Sequence, residues 1–485
     1  MTPRGTTLGG TGPRAGTGVA AGAVVQYAML AGPLLSMLDS SVVNVAAEPI
    51  ARSLHAPLDT VQWTVSGYLL ALGTGLAGTA YLARRYGTRR LYRASLAAFT
   101  AASALCALAP GIAALIAFRA VQGLVAAPLV PLAMSMLLGK SGKGRSVSPA
   151  AGILLFAAPA LGPTVGGALI GAASWRLIFA INVPLGALAT CAAGRLAQGA
   201  GGDRSGDYEF DLPGLVLLAA GLLLVLLGAN EGGTDGWDAA ACLGPLVAGA
   251  VLLAVYGRWA DGRGRPARPG RPGRSGSPLD LSLARQPVAA LSMGLCALAS
   301  VVTWAAVFLL PVFVQSVQGR SALAAGVAMA PQGLVTGLST VLGSRVLTRV
   351  TVRSTVCAGF LVLGAGSLLL VLVGPGTPLW AIALLLAVRS VSIGLVISPL
   401  LAALTGPLEP SRMGDASTLF NVVQRIAGSF GIGLLVSLYT AASHSAGGPV
   451  HALHLTGIVI ACVAGAGAVG ALWLPAVANT SLAGG

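Results

Sequence analysis

Fourteen runs of apolar residues, each about long enough to cross a lipid bilayer, follow one another along the chain. They lie at about 24–50, 60–83, 91–109, 111–138, 147–171, 174–195, 212–230, 239–257, 287–315, 321–347, 354–374, 377–404, 415–440 and 451–476. A membrane-spanning helix needs roughly 20 apolar residues, and only 9% of this chain is charged, against about 25% in soluble domains. We therefore predict an all-α membrane protein with fourteen spans. The same composition excludes a water-soluble enzyme and a receptor with a single membrane anchor.

Basic residues are distributed unevenly between the two sets of connecting loops. If the N-terminus is cytoplasmic, 23 Lys and Arg residues lie on the cytoplasmic side, and only Arg52, Arg176 and Arg320 lie on the other. Cytoplasmic loops of membrane proteins carry such an excess of positive charge. We therefore predict that both termini are cytoplasmic. The net charge of +15 is explained by this topology rather than by nucleic-acid binding.

The spans and loops divide the chain into six parts. They are a disordered cytoplasmic tail at 1–22, a six-helix bundle at 23–196, two linker transmembrane helices at 197–257, an Arg/Pro/Gly-rich cytoplasmic loop at 258–286, a second six-helix bundle at 287–476 and a cytoplasmic tail at 477–485. The loop at 258–286 is too rich in Arg, Pro and Gly to pack a core, so we expect a flexible linker there.

The six cysteines all lie within apolar runs, without a CxxC pair and without a histidine at metal-ligand spacing. Such cysteines are typical packing residues. We expect no metal site and no cofactor.

Ionisable residues within the apolar runs are few, and each is a candidate functional residue because charge is costly in hydrocarbon. Asp39, in the first run, is the only carboxylate deep in the predicted membrane region. Low dielectric disfavours its ionised form, so proton uptake and release near neutral pH are feasible; a structural hydrogen bond is the alternative. Arg119, in the fourth run, keeps its charge and needs an acidic partner, carbonyl groups or water. Asp39 is that partner if the two helices pack together. Glu48 lies near the outer end of the first helix. Its side chain either faces the outer vestibule and attracts cations or simply lies at the level of the lipid headgroups, and we favour the second interpretation.

Two helices carry several polar residues on one face. Gln122 lies one turn from Arg119, and Asn421, Gln424 and Arg425 share a face of the thirteenth helix. Such faces either join helices through hydrogen bonds or line a polar cavity, and the sequence leaves both possibilities open.

The fifth run contains Gly-Pro-Thr-Val-Gly-Gly at 162–167. Pro163 lacks a backbone donor and is expected to kink the helix. Gly162 and Gly166 lie one turn apart, with Gly167 beside them, and allow another helix to approach closely.

In combination, these segments resemble the major facilitator superfamily, in its fourteen-helix drug:proton antiporter branch. The similar segments are 38–46, 62–63, 68–69, 119–123, 162–167, 175–186, and Gly326 with Pro331 and Gln332. The resemblance covers essentially the whole chain. It implies a major facilitator fold, with two six-helix bundles and two additional helices packed at the periphery.

The resemblance implies a secondary active transporter in the cytoplasmic membrane of a bacterium. It would export a hydrophobic antibiotic or drug in exchange for protons, conferring resistance or exporting a self-made antibiotic. Asp39 and Arg119 would couple transport to protons, while Gly162, Pro163, Gly166 and Gly167 would form the antiporter motif. The residues expected to line the substrate cavity are Trp63, Tyr68, Gln122, Trp304, Gln332, Asn421, Gln424 and Arg425. The expected partners are the substrate, protons and the lipid bilayer, with no nucleic acid, and the protein is expected to be a monomer.

The loop between the second and third helices departs from the family's pattern. The residues expected to form the conformational-switch loop are Arg84, Arg85, Gly87 and Arg89. Arg84 stands where the family has an acid that helps to latch the two halves together, so the resemblance does not extend to this latch.

The sequence leaves two alternative functions open. The same fold could carry a metabolite by proton-coupled uptake or facilitated diffusion, although the resemblance associates the motif at 162–167 with antiport. A polytopic membrane enzyme would need clustered His, Asp or Glu residues, and the sequence has no such cluster near Asp39. With one deep acid, multivalent cations are less favoured substrates than neutral, anionic or monovalent compounds.

Overall fold

The computed structural model describes residues 15–139, 149–194, 211–234, 238–263, 283, 285–346, 350–408, 410–444 and 447–476. Within these residues the regular structure is helical, almost all of it α-helix, and no β-strand is found. In hydrocarbon this is expected, because an α-helix satisfies every backbone hydrogen bond within its own segment.

The described part of the chain contains the following α-helices. They are α1 (Ala15–Leu54), α2 (Leu58–Val61), α3 (Trp63–Tyr86), α4 (Thr88–Ala107), α5 (Ile112–Ala126), α6 (Leu129–Gly139), α7 (Pro149–Ala172), α8 (Leu177–Ala180), α9 (Asn182–Gly194), α10 (Leu212–Thr234), α11 (Ala240–Arg263), α12 (Pro287–Ser316), α13 (Ala322–Val346), α14 (Val352–Leu368), α15 (Leu379–Thr405), α16 (Pro410–Ser443) and α17 (Gly448–Ala471). A short 3-10 helix, Leu369–Leu372, continues α14.

Ten helical stretches among the described residues are long and apolar enough to cross a membrane. Two shorter apolar stretches lie at Leu161–Ala172 and Leu212–Gly228. Helices α3 and α4 are not among the ten, although the sequence predicted spans there; α3 is rich in Gly and Thr, and α4 begins with several arginines. The prediction of an all-helical membrane protein is confirmed, whereas the number fourteen stays a prediction.

Two helices extend beyond their predicted ends. Helix α1 begins at Ala15, inside the segment expected to be a disordered tail, because no proline interrupts it before Pro33. Helix α11 continues to Arg263, inside the segment expected to be a loop, and ends before Gly264 and Pro266. The remaining predicted loop at 264–282 and the tails at 1–14 and 477–485 lie outside the described residues.

The helices pack in two groups that meet in the middle of the molecule. In the first group, α1 packs against α7 and α9, and α5 packs against α3 and α4. In the second, α12 packs against α16, α13 against α15, and α14 against α15 and α17. The groups meet where α7 contacts α13, α3 contacts α16 and α1 contacts α12.

Helices α10 and α11 pack against each other, and α10 also contacts α16 and α3. Asp211 joins this pair at one end, because it accepts hydrogen bonds from Gly214 N at 2.9 Å and from Trp259 Nε1 at 2.9 Å. The bond to Trp259 holds the last turns of α11, which helps to explain why this segment is helical.

Candidate functional site

Asp39 and Arg119 form an ion pair in the interior of the first group of helices. Arg119 Nη1, on α5, donates to Asp39 Oδ2, on α1, at 2.5 Å. The two side chains are 0% and 1% exposed, respectively. The structure therefore brings together the two residues that the sequence suggested as partners.

Two amide side chains complete the bonding of the Asp39 carboxylate. Oδ1 accepts from Asn182 Nδ2 at 2.9 Å and from Gln122 Nε2 at 3.2 Å. Gln122 also donates to Ser103 Oγ at 2.7 Å, which fixes its amide. Together with Arg119, these amides supply hydrogen-bond donors to both oxygens of the carboxylate.

The Arg119 guanidinium is enclosed by further groups. Nε donates to the Thr64 carbonyl at 2.9 Å and Nη1 also donates to Gln122 Oε1 at 2.7 Å. Its Cζ lies 4.0 Å from the centroid of the Tyr68 ring and 5.6 Å from that of Phe179. Nη2 is buried and has no hydrogen-bond partner among the described residues, so aromatic faces carry part of the stabilisation.

A close contact between helices places Tyr68 over the guanidinium. A Cβ atom added to Gly123 on α5 would overlap the backbone carbonyl of Tyr68 on α3. Only glycine at 123 therefore lets the two backbones approach this closely, one helical turn beyond Arg119.

A cavity of about 250 Å³ lies between the two groups of helices. Its lining residues are Met37, Ser40, Ser41, Asn44, Pro163, Thr303, Trp304, Val307, Met329, Gln332, Gly333, Thr336, Gly337, Ile393, Gln424 and Arg425. They come from α1 and α7 on one side and from α12, α13, α15 and α16 on the other. Small-molecule sites typically have about 300–1,000 Å³, so this cavity is close to the lower end of that range.

Helix α1 presents a different face to each of the two sites. Asp39 points into the ion-pair cluster, whereas Ser40, Ser41 and Asn44 line the cavity. Successive helical residues are rotated by about 100°, which explains why neighbours in sequence face different sites. One helix is thus shared by the buried acid and the cavity wall.

The structure places four of the residues expected in the cavity, Trp304, Gln332, Gln424 and Arg425, in its lining. The other four lie elsewhere. Gln122 and Tyr68 are buried in the ion-pair cluster; Trp63 is half-buried at the start of α3; and Asn421 is exposed and donates to the carbonyl of Ser417 on its own helix. Asn421 lies one turn before Arg425, beyond this cavity. Whether any of the eight contacts a substrate stays a prediction.

Several lining residues were not found from the sequence. Met329, Gly333, Thr336 and Gly337 share one face of α13 with Gln332, at spacings of three, four, seven and eight residues. This periodicity around Pro331 and Gln332 was the available signal. Asn182, which bonds Asp39, was noted only as part of the similar segment 175–186.

The glycines at 162–167 allow close packing on both sides of α7. A Cβ added to Gly162 would overlap Ser41 Oγ, and one added to Gly166 would lie 2.8 Å from Val42, both on α1. On the other side, a Cβ added to Gly167 would lie 2.5 Å from the Ala322 carbonyl of α13. Helix α7 therefore contacts both groups of helices closely. The predicted kink at Pro163 stays a prediction.

A glycine of α13 also allows close packing against α7. A Cβ added to Gly326 would overlap the carbonyl oxygen of Pro163, and Thr164 Oγ1 donates to the Gly326 carbonyl at 3.1 Å. Gly326 and Pro163, both singled out in the sequence, thus meet across the boundary between the two groups.

The loop between α3 and α4 is a sharp turn. Gly87 ends α3 with a φ of +84°, a conformation that favours glycine, and α4 begins at Thr88. Arg85 is exposed and its Cζ lies 5.9 Å from the Tyr86 ring centroid, whereas Arg89 is half-buried. The side chain of Arg84 lies outside the described residues.

Glu48 and Arg389 are further charged residues within the long helices. Glu48 pairs with Arg52 on the same helix at 2.8 Å. Arg389 is buried and donates from Nε to Ser367 Oγ at 3.1 Å and from Nη2 to the Val302 carbonyl at 2.8 Å. Among the described residues, no group of three or more His, Cys, Asp and Glu side chains is placed to hold a metal ion.

Long apolar helices in two groups, with a cavity between them and a buried ion pair beside it, are typical of multi-pass membrane transporters. Comparison with solved structures supports this fold. A peptide transporter POT in complex with sulfate is similar over 93% of this chain and 96% of that chain, with a TM-score of 0.66 and 15% sequence identity.

The family model described as Major Facilitator Superfamily matches residues 29–202 and 212–432. The chain belongs to the major facilitator superfamily. The prediction of a transporter rather than an enzyme is thereby confirmed.

Curated relatives are similar over most of the chain. The multidrug resistance protein B homolog of Mycobacterium tuberculosis is 32% identical, over 84% of this chain and 74% of that protein. The cephamycin export protein CmcT of Amycolatopsis lactamdurans is 32% identical, over 83% of this chain and 82% of that protein. The methylenomycin A resistance protein of Streptomyces coelicolor is 28% identical, over 84% and 83%. These relatives are bacterial, which indicates a cell membrane.

Proposed function

We propose that this protein is a proton-driven exporter of a hydrophobic small molecule, in the fourteen-helix drug:proton antiporter branch of the superfamily. The observation that carries the proposal is a fully buried carboxylate, that of Asp39, which is paired with Arg119 and lies on the helix that also lines the central cavity. The printed names of three relatives, which refer to multidrug resistance, methylenomycin A resistance and cephamycin export, support an antibiotic or drug as cargo.

In this proposal Asp39 is the proton carrier. A proton that binds the carboxylate cancels its charge and removes the ionic part of its bond to Arg119. Arg119 keeps the Thr64 carbonyl, Gln122 Oε1 and the Tyr68 ring as partners, so its own charge stays stabilised after the carboxylate is neutralised. Release of the proton restores the ion pair, and one proton has then crossed the site.

Helix α1 couples this event to the cavity. Its Asp39 face responds to protonation, its Ser40, Ser41 and Asn44 face forms the cavity wall, and Ser41 packs against Gly162 of α7. Because α7 in turn contacts α13, a small displacement of α1 reaches the boundary between the two halves. Packed interfaces of this kind switch between discrete arrangements rather than deforming continuously.

The proposed topology has fourteen spans and cytoplasmic termini. Ten of the spans are the long apolar stretches, in which α5 and α6 form one span and α8 and α9 form another. The other four spans are α3, α4, α7 and α10. In this orientation the contacts of Gln315 Nε2 with the Val45 carbonyl, at 3.0 Å, and of Thr164 with Gly326 lie in the outer half of the membrane. The structure then corresponds to a conformation whose two halves are in contact on the outer side.

The test compares efflux by the wild type and by Asp39→Asn in cells that lack other drug pumps. Efflux of fluorescent compounds of either charge, such as fluorescein and ethidium, and resistance to a panel of antibiotics are measured with and without a protonophore. We expect wild-type efflux to stop when the protonophore is added and Asp39→Asn to have none. Substrate accumulation rather than extrusion would identify an uptake transporter instead, and full efflux by Asp39→Asn would contradict the proposal.

The chain offers a matched control and a reason to expect a folded variant. Glu48→Gln changes a carboxylate to an amide on the same helix, at its partly exposed end, and should retain efflux. In the wild-type structure, the buried Oδ1 atom of Asn182 has no hydrogen-bond partner among the described residues. In Asp39→Asn, a flip of the Asn182 amide therefore offers this oxygen as an acceptor to the N–H of the substituted side chain, which limits the cost of the substitution.

A further inference from the structure

The charge of the central cavity indicates which substrates it accepts. Among the described residues that line the cavity, Arg425 is the only charged one and none is a carboxylate. The ion pairs found among the described residues are Arg119–Asp39 and Arg52–Glu48, and Arg425 takes part in neither. Its guanidinium lies 5.7 Å from the centroid of the Trp304 ring. The cavity wall thus carries a positive charge that no carboxylate of the described residues balances.

A second cation lies close to the same cavity. Arg389 borders a small pocket of about 10 Å³ that shares Thr303, Gln332 and Ile393 with the central cavity. Arg389 is 4% exposed, and its described hydrogen-bond partners, Ser367 and the Val302 carbonyl, are neutral. In a medium of low dielectric, the fields of both arginines extend further than they would in water.

The buried carboxylate of Asp39 does not offset these charges. The Asp39 carboxylate points away from the cavity and is neutralised by Arg119 within hydrogen-bond distance. Protonation of Asp39 makes this part of the molecule more positive, not less. The cavity therefore stays positive in both protonation states of the cluster.

Neutral polar groups of the cavity are available to a substrate. The side-chain amides of Gln332 and Gln424 both line the cavity, and Gln332 Oε1 is buried without a hydrogen-bond partner among the described residues. Because Gln332 Oε1 has no such partner, a turn of the amide breaks no described bond of that atom and directs its N–H groups to an acidic group. The rest of the lining is mostly apolar, including Val307, Met329 and Ile393.

We propose that the exported substrate is an amphipathic organic anion, with its acidic group at Arg425 and Gln332 and its apolar part along Trp304, Val307 and Met329. The proposal rests on the proposed function for the direction of transport, but the binding of an anion does not depend on it. Guanidinium groups bind planar or tetrahedral acidic groups through several N–H donors at once. A cationic compound would meet an uncompensated arginine and no acid.

The test measures equilibrium binding to the full-length protein in nanodiscs of zwitterionic lipid, without a proton gradient. Three probes share one ring system and differ in charge: naphthalenesulfonate, naphthylmethanol and naphthylmethylammonium. We expect the sulfonate to bind at least about tenfold more tightly than the alcohol, and the ammonium compound to bind least. Equal or tighter binding of the ammonium compound would overturn the proposal.

Variants separate the cavity from the overall positive charge of the protein. Arg425→Gln should abolish the preference for the sulfonate, Arg425→Lys should retain part of it, and Arg52→Gln, far along α1 from the cavity, should retain all of it. Thermal unfolding of each variant checks that it is folded, and Arg425→Lys keeps the test decisive if Arg425→Gln is unstable. A preference that survives in folded Arg425→Gln would show that the anion binds elsewhere and would overturn the proposal.

The outcomes also distinguish this proposal from the proposed function. Loss of proton-driven efflux in Asp39→Asn, with no charge preference in binding, would support export and reject an anionic substrate. A clear preference for the sulfonate, with efflux that a protonophore does not affect, would support an anionic substrate and reject proton-driven export.

Discussion

The guanidinium of Arg119 lies against the aromatic ring of Tyr68, with Cζ 4.0 Å from the ring centroid. Both side chains are buried, on α5 and α3, and the arginine is also paired with Asp39. A guanidinium that keeps an aromatic partner when its carboxylate is neutralised needs no water to remain charged. This contact is therefore central to the proposed proton cycle.

Replacement of Tyr68 tests the role of its ring. Tyr68→Phe keeps the aromatic face and loses only the contact of its hydroxyl with Ser36 Oγ at 3.2 Å, so efflux should stay within about twofold of the wild type. Tyr68→Leu loses the cation–π contact, worth about 2 kcal/mol when desolvated, and should lower proton-coupled efflux by about tenfold or more. Equal efflux rates for the two variants, at equal amounts of folded protein, would contradict this role of the ring.

Asn182 is expected to control how readily Asp39 takes up its proton. Asn182→Leu removes one of the two amide donors to Oδ1 and so disfavours the ionised carboxylate. Loss of a hydrogen bond to the charged form favours the protonated form, so the pH profile of efflux should move to higher pH.

A matched loss of one hydrogen bond on the same helix provides the control. Thr190→Val removes a bond to the Gly186 carbonyl, remote from Asp39, and should leave the pH profile in place. The measurement is the initial rate of drug-induced proton movement in everted vesicles between pH 5.5 and 9. An unchanged profile for Asn182→Leu would argue against Asp39 as the proton carrier.

The contact of Gly326 with Pro163 is expected to be needed for the two halves to close. Gly326→Ala introduces a Cβ that overlaps the Pro163 carbonyl, and overpacking of this kind costs about 1–3 kcal/mol. Transport should fall by about tenfold, because the arrangement seen here is destabilised. Gly294→Ala, with no atom within 4 Å of the added Cβ, is the matched control and should transport normally. Similar rates for the two variants would show that this contact is not part of the transport cycle.

Export of an anion in exchange for a proton is expected to respond to the membrane potential. One proton inward and one monovalent anion outward together move two positive charges inward, and each charge contributes about 2.3 kcal/mol per 100 mV. A potassium diffusion potential imposed with valinomycin, without a pH gradient, should therefore drive naphthalenesulfonate toward the positive side of proteoliposomes. Asp39→Asn proteoliposomes measure the passive leak. Transport that does not respond to the potential would indicate an electroneutral exchange, as expected for a monovalent cation.

Much of the fold was predictable because a membrane helix is specified locally. A run of apolar residues of sufficient length, whose backbone must bond within itself, predicts a helix without knowledge of its neighbours. The pairing of Asp39 with Arg119 was predictable for a related reason, since an isolated charge in hydrocarbon needs a partner and the candidates were few.

The sequence by itself thus determined that the chain is a bundle of membrane helices and which charged residues lie deep within it. Only the tertiary structure decided that Gln122 and Tyr68 belong to the ion-pair cluster, that Asn182 bonds Asp39, and that Arg425 faces the cavity. The physical reason is that lipid-facing and protein-facing surfaces of these helices are similarly apolar, so periodicity does not reveal the rotation of each helix. That rotation is set by close contacts between small residues of distant helices, such as Gly326 against Pro163.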